Sequence, residues 1–318
     1  MRIAIVGGGA LGLLFGGRLA AAGRKAELWT RTREQAELLT SAGIRLMDAD
    51  GGSPVDVPVA ARAVDDVPAD GGGPIAFLAV KQTSLSPELL AGLRRAVPPG
   101  GAIIALMNGI GHTDLLAAAL PGRAIVAAVT TEAALKADPR SVLHAGRGTT
   151  WLGQAPLFGT YPARYADPMP EETAFAVEKC LLQAGFSVSL SNDMMDRMLR
   201  KLLVNAVVNP LTALLRLRNG ELSATADRRS LMRAVYEESA AILAPYGLRD
   251  PELLWREVLD VCEGTAANRS SMLQDVLAGR PTEIDAINGA IARMGSAIGR
   301  SASWNEKLAA LVKAISGE

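Results

Sequence analysis

The chain has 318 residues, a length that accommodates about two domains, and 49% of them are hydrophobic, enough for sizeable cores. Its 33 basic residues balance 33 acidic ones, which argues against binding to nucleic acid or to an anionic membrane surface. Cys180 and Cys262 lie far apart in helix-like contexts, in no CxxC or metal-ligand spacing, and suit two thiols in a reducing cytoplasm rather than a disulfide framework.

The first stretch, MRIAIVGGGALGLLFGGRLAAAG, carries one early positive charge and an apolar run broken by glycines. It reads as a strand, a turn and a helix rather than as a leader peptide. No run of about 18 uninterrupted apolar residues follows, so no membrane span is expected. Strands are predicted at 2–7, 25–30, 74–80, 102–107 and 124–130, with helices between them at 10–22, 33–42, 86–96 and 112–119. Apolar strands separated by helices argue for a parallel sheet covered on both faces. Residues 141–153 read as further strand, expected antiparallel, and 154–171 as a loop rich in Pro, Gly and Tyr. A helix at 171–185 and a last strand at 186–192 complete this half. Beyond it only helical periodicity remains. The expected organisation is a Rossmann-type α/β domain over residues 1–190 and an all-helical domain over 191–318, the latter for substrate binding and dimerisation.

IAIVGGGALG places Gly7, Gly9 and Gly12 in the G-x-G-x-x-G pattern, directly after a strand and before a helix. The first glycine permits the tight turn, the second lets a pyrophosphate approach the backbone, and the third lets helix and strand pack closely. The N–H groups of the helix start, at Ala10, Leu11 and Gly12, then face the phosphates. A site for NAD usually carries an acid at the end of the second strand. Here that end reads ELWTRTRE, with Thr30, Arg31 and Arg33, and Glu27 lies earlier. Arg31 can pair with a 2′-phosphate, so NADP is the expected cofactor. A solvated basic turn is the bland alternative.

Lys81 and Gln82 end the third predicted strand and Asn108 the fourth, where a cofactor would lie in an open α/β sheet. Asn108 is followed by Gly109, so turn chemistry would also explain it. In KLLVNAVVNPLTALL, residues 201–215, Lys201, Asn205 and Asn209 recur every four residues in an otherwise apolar helix. Such a stripe either faces water or pairs with a ligand. The apolar positions between leave little room for a watery face, so it is expected to line an interdomain cleft. Pro210 removes a helix hydrogen bond, and a kink is expected there. A second polar group, Ser270, Ser271 and Asp275, precedes Glu283 and Asp285. Thr282 with Asp285 matches a capping box, which leaves Glu283 without a structural duty. His112 and His144 have no acid or serine pattern nearby, so lysine is the expected acid, charged at its ordinary pKa of about 10.4.

GGGALG, AVKQT, MNGIG, RKLLVNAVVNPLTAL, NGEL and SSMLQDVLAGRPTEIDAINGAI together resemble the ketopantoate reductase (2-dehydropantoate 2-reductase) family over nearly the whole chain. The resemblance implies an NADPH-dependent reduction of ketopantoate to pantoate, a step of pantothenate biosynthesis. It implies Lys201 as catalytic lysine and Glu283 as the acid that binds the substrate's hydroxyl end. Asn205, Asn209 and Ser271 would bind substrate, Asn108 would lie near both substrate and cofactor, and Arg31 would meet the NADP phosphate. There are departures: Leu199-Arg200-Lys201 stands where the family often has Trp-Arg-Lys, and Ala302-Ser303-Trp304-Asn305 where it has Thr-Pro-x-Asn. The loop 154–171 is also longer than usual.

The expected chemistry is hydride transfer to the C2 carbonyl of a small 2-oxo acid, with Lys201 as proton donor. Two other readings stay open: reduction of a different branched 2-oxo acid, and a non-catalytic NADP-binding regulator on the same scaffold. The expected location is the cytoplasm. A homodimer is compatible with the helical half, and the sequence does not decide the oligomeric state.

Overall fold

The computed structural model describes residues 2–68 and 75–317. The strands are β1 Ile3–Val6, β2 Ala26–Thr30, β3 Ile44–Asp48, β4 Val55–Val57, β5 Ala60–Ala63, β6 Ile75–Leu78, β7 Ala102–Ala105, β8 Ala124–Thr130, β9 Ala133–Lys136, β10 Ser141–Gly146, β11 Thr149–Gln154, β12 Pro156–Leu157, β13 Arg164–Tyr165 and β14 Ser187–Leu190. The helices are α1 Ala10–Ala21, α2 Arg33–Ala42, α3 Pro87–Ala96, α4 His112–Ala119, α5 Glu171–Gln183, α6 Met194–Leu215, α7 Asn219–Leu222, α8 Ala226–Leu243, α9 Leu254–Gly264, α10 Ser271–Leu277, α11 Ile284–Ala297 and α12 Ser303–Ser316.

Two compact units result. The first takes residues 1–107, 113–157 and 165–194, and the second takes 108–112, 158–164 and 195–318. The short segment 108–112, though it follows β7, thus folds with the helical unit.

In the first unit an eight-stranded sheet runs in the order β14-β11-β8-β7-β6-β1-β2-β5. β1 pairs in parallel with both β2 and β6, and β6, β7 and β8 continue in parallel. The side chains of β1, β6, β7 and β8 are buried along the whole strand, as expected for a parallel sheet covered on both faces. Phe15 of α1 stacks on Phe186 with ring centroids 4.2 Å apart, which locks the first helix against the end of the domain. This is the Rossmann-type architecture the alternation of strands and helices predicts.

The sequence pattern does not predict β3, β4, β5 or β9. β5 is the edge of the large sheet, while β3, β4 and β9 build a second sheet, β4-β3-β10-β9, around β10. Each is short and carries polar or small residues, and β3 finds β10 as a parallel partner far along the chain. No local pattern marks such a strand. The segment predicted as antiparallel is so only in part. β10 runs antiparallel to β9 and β11 antiparallel to β8, but β10 is parallel to β3 and β11 to β14. The predicted loop 154–171 holds the two-residue strands β12 and β13, and Pro74 of the predicted 74–80 strand lies outside the described residues.

The second unit is helical. α6 has the length and hydropathy of a membrane-crossing helix, yet 67% of its most apolar window is buried within the protein, as in a core helix. It continues for five residues past Pro210. The N-terminus of α12 has no side-chain cap of its own at Ala302. Glu238 of α8 caps it instead, accepting from the N–H groups of Trp304 at 3.0 Å and Asn305 at 2.9 Å.

Candidate functional site

The glycine turn in the first unit is shaped for a phosphate. Gly7 adopts φ +115°, a conformation that disfavours any side chain. A Cβ on Gly12 would lie 1.8 Å from the Gly7 carbonyl oxygen, so only glycine lets α1 start this close to the turn. At Gly9, by contrast, the nearest atom to a notional Cβ is 3.9 Å away, so the space beside the N-cap of α1 is open. Gly9 supplies no side-chain cap and the first turn of α1 carries no acid, which leaves the N–H groups of Ala10, Leu11 and Gly12 suited to an anion.

The basic side of the turn is richer than the sequence suggests. Glu27 accepts from Arg62 at 2.5 Å and from the Trp29 indole at 3.1 Å, so the acid of β2 is already engaged. Arg33 makes a two-point ion pair with Asp66, at 2.9 and 2.7 Å. Arg31 is exposed, and among the described residues no acid holds it. Lys136 at the end of β9 donates to the Gly8 carbonyl at 2.8 Å, and Gln35 of α2 donates to the same oxygen at 2.9 Å. The Lys136 ammonium is pushed below its ordinary pKa by burial first, opposed by Asp138 and assisted by the charge of Arg31. Two cations therefore flank the turn. Lys136 lies on a strand that no local pattern marks, so sequence reasoning has no route to it. Lys81 is half-buried three residues past the end of β6.

The second unit assembles the other polar residues. Asn108 Nδ2 donates to Glu283 Oε2 at 3.1 Å. The loop that carries Asn108 lies against the first turn of α11, where the Ile110 N–H donates to the Ala286 carbonyl at 3.1 Å. A Cβ on Gly109 would sit 2.3 Å from that carbonyl oxygen, so glycine permits the close approach. Asn108 thus does more than turn chemistry. Glu283 is buried at the N-cap of α11 and makes no capping bond. The expected Thr282–Asp285 capping box is not what forms. The helix begins one residue later than a Thr282 cap would require, and Asp285 pairs with Lys313 at 2.7 Å.

On α6, Lys201 and Asn205 are half-buried and Asn209 is 7% exposed, so the stripe is not a solvated face. Ser271 is exposed at the first position of α10. Its neighbour Ser270 caps that helix and accepts from Thr212 of α6 at 2.7 Å, which docks the serine-bearing turn onto the stripe helix.

Burial pushes the Lys201 ammonium down to about 8, with the charge of Glu283 pulling the other way. This corrects the ordinary value expected from sequence, since neither the burial nor the partner is visible in one dimension. His112, which opens α4, is pushed down to about 4, by burial first and then by the charge of Lys201. At neutral pH the site holds a neutral imidazole and a lysine near its titration point. The second histidine also has acidic company that its sequence neighbourhood hides: His144 Nε2 lies 2.6 Å from Glu132 Oε2, with Asp48 at 3.7 Å.

Residues 3–156 match the family model described as ketopantoate reductase PanE/ApbA, and residues 193–316 match its C-terminal counterpart. The chain belongs to the ketopantoate reductase family. A 2-dehydropantoate 2-reductase of Archaeoglobus fulgidus is 32% identical over 314 residues, 99% of this chain and 97% of that protein. The crystal structure of a ketopantoate reductase of this family from Ralstonia eutropha superposes with a TM-score of 0.85 at 28% identity, covering 100% of this chain and 99% of that one. A D-mandelate dehydrogenase, solved with NADH and anilino(oxo)acetate, reaches a TM-score of 0.88 at 24% identity over 100% and 98% of the two chains, a likeness of fold.

Proposed function

We propose that this chain catalyses the NADPH-dependent reduction of ketopantoate to pantoate in the cytoplasm, as a step of pantothenate biosynthesis. The observation that carries the reading is the convergence of Lys201, Glu283 and Asn108 in one unit, with Lys201 brought near neutrality by its surroundings. That trio suits a carbonyl reduction, in which negative charge develops on one oxygen and a proton must follow. Family membership and relatives named for this reaction support the substrate.

The glycine turn and the N–H groups of Ala10, Leu11 and Gly12 fit a dinucleotide pyrophosphate. Arg31 and Lys136 supply positive charge for a 2′-phosphate, and Glu27, tied to Arg62, is not poised for a ribose 2′-hydroxyl. These features favour NADP over NAD. When bound, the reduced nicotinamide supplies the hydride to C2. Lys201 stabilises the developing alkoxide and gives it a proton, becoming the neutral amine. His112, kept neutral, adds no competing charge. Asn205, Asn209 and Ser271 orient the 2-oxo acid by hydrogen bonds, and Asn108 holds Glu283 toward the distal hydroxyl.

A spectrophotometric assay of NADPH oxidation tests the reading, with ketopantoate set against a panel of branched and aryl 2-oxo acids. Ketopantoate should have the highest kcat/KM. A clear preference for another 2-oxo acid would move the substrate assignment. NADPH binding without turnover on any of them would leave a binding protein.

A further inference from the structure

Pro210 lies inside α6 and has no N–H. The carbonyl of Ala206, one turn earlier, therefore lacks the bond that an ordinary helix would give it. Ala206 is fully buried, and an unpaired carbonyl there is costly. Its partner comes from another helix. Asn288 Nδ2 on α11 donates to the Ala206 oxygen at 3.0 Å. The same nitrogen donates to Asn305 Oδ1 on α12, also at 3.0 Å.

Two acceptors on one side dictate which end of the amide faces them, and Asn288 Oδ1 is left buried without a partner among the described residues. Asn305 is held in turn, its own Nδ2 donating to Glu238 at 2.9 Å and to Ser239 at 3.0 Å. Asn288 and Asn305 are both 0% exposed. The chain thus sustains a fully buried amide network, with one unsatisfied atom, around a single carbonyl. A core built for stability alone would place an apolar residue at 288 and an ordinary helix former at 210.

The location explains the arrangement. Ala206 directly follows Asn205, and Pro210 directly follows Asn209. Asn288 lies on the helix whose N-cap is Glu283. The bond joins the stripe helix and the glutamate helix at one point. We propose that Asn288 is a positioning residue: it replaces the hydrogen bond that Pro210 lacks and so fixes the Lys201–Asn205–Asn209 stripe relative to Glu283. The inference rests on the proposed function only in taking those four residues to meet the substrate.

The test is a double-mutant cycle with Asn288→Ala and Pro210→Ala, because the second substitution restores a backbone N–H that can donate to the Ala206 carbonyl. Asn288→Ala should lower the melting temperature and raise the KM for ketopantoate by roughly tenfold, with NADPH affinity unchanged. Pro210→Ala alone should stay near wild type. The double variant should recover most of the lost melting temperature and KM. If Asn288→Ala does not fold, recovery of a folded double variant with near-normal KM supports the clamp just as well. An Asn288→Ala enzyme with unchanged KM would overturn the positioning role, and a double variant no better than Asn288→Ala would overturn the carbonyl as its target. The melting-temperature arm needs no substrate, so it tests the clamp even if wild type fails to reduce ketopantoate, which would sink the proposed function instead.

Discussion

Glu283 accepts a hydrogen bond from Asn108 at 3.1 Å although 175 positions separate them in the chain. Glu283 is buried at the N-cap of α11 without a capping bond, and its charge acts on Lys201, so the carboxylate belongs to the polar group around the lysine rather than to the helix end. Glu283→Ala should raise the KM for ketopantoate by roughly 10–100-fold, as expected for the loss of a charge-assisted hydrogen bond. The effect on 3,3-dimethyl-2-oxobutanoate, which lacks the distal hydroxyl, should be much smaller. Equal losses on both substrates would show that Glu283 acts on the chemistry or on the fold rather than on the hydroxyl.

Lys201 gives two pH signatures. Its folded pKa of about 8 lies below the ordinary value of 10.5, so between those pH values the unfolded chain holds the extra proton and stability rises with pH. Below that window the buried charge is a cost. Lys201→Met should therefore be more stable than wild type at pH 7, by on the order of 1–3 kcal/mol, and the two should converge near pH 10–11. In kcat/KM, wild-type activity should fall as pH rises through about 8. Denaturant melts of both proteins across this range are the check, and parallel stability profiles would refute the perturbed lysine.

The two cations beside the glycine turn predict how the cofactor is chosen. Calorimetry with 2′,5′-ADP and 5′-AMP isolates the 2′-phosphate from the chemistry. Wild type should prefer 2′,5′-ADP, and Arg31→Ala should lose most of that preference while barely changing 5′-AMP binding. Lys136→Ala should lose a smaller part. In kinetics, Arg31→Ala should raise the KM for NADPH and leave NADH use almost unchanged. Equal losses with both cofactors would remove Arg31 from phosphate recognition.

Much of this is legible in the sequence, and the parts that are not share a physical cause. β1, α1 and β8 follow from local pattern, because continuous apolar runs and a glycine turn encode buried parallel strands and a tight helix entry. The stripe of Lys201, Asn205 and Asn209 is visible because polar residues in an apolar helix lack a structural reason. β3 and β9 are not visible, since their partner β10 is set by tertiary pairing. Lys136 is hidden with them. Asp285 matches a capping box by spacing alone, yet its carboxylate goes to Lys313 on another helix. The acids around His144 come from β3 and from the turn before β9, and the cap of α12 comes from α8. Each of these depends on two segments meeting, which no single window of sequence records.

If Lys201 is the proton donor in ketopantoate reduction, turnover depends on that one ammonium. The decisive measurement is steady-state turnover of ketopantoate with NADPH, compared between wild type and a folded Lys201→Ala variant. Wild type should turn over, and the variant should lose roughly 10²–10⁴-fold in kcat, the usual worth of a general acid, with NADPH binding nearly intact. A wild type inert toward ketopantoate, or a variant with near-normal kcat, would contradict that role.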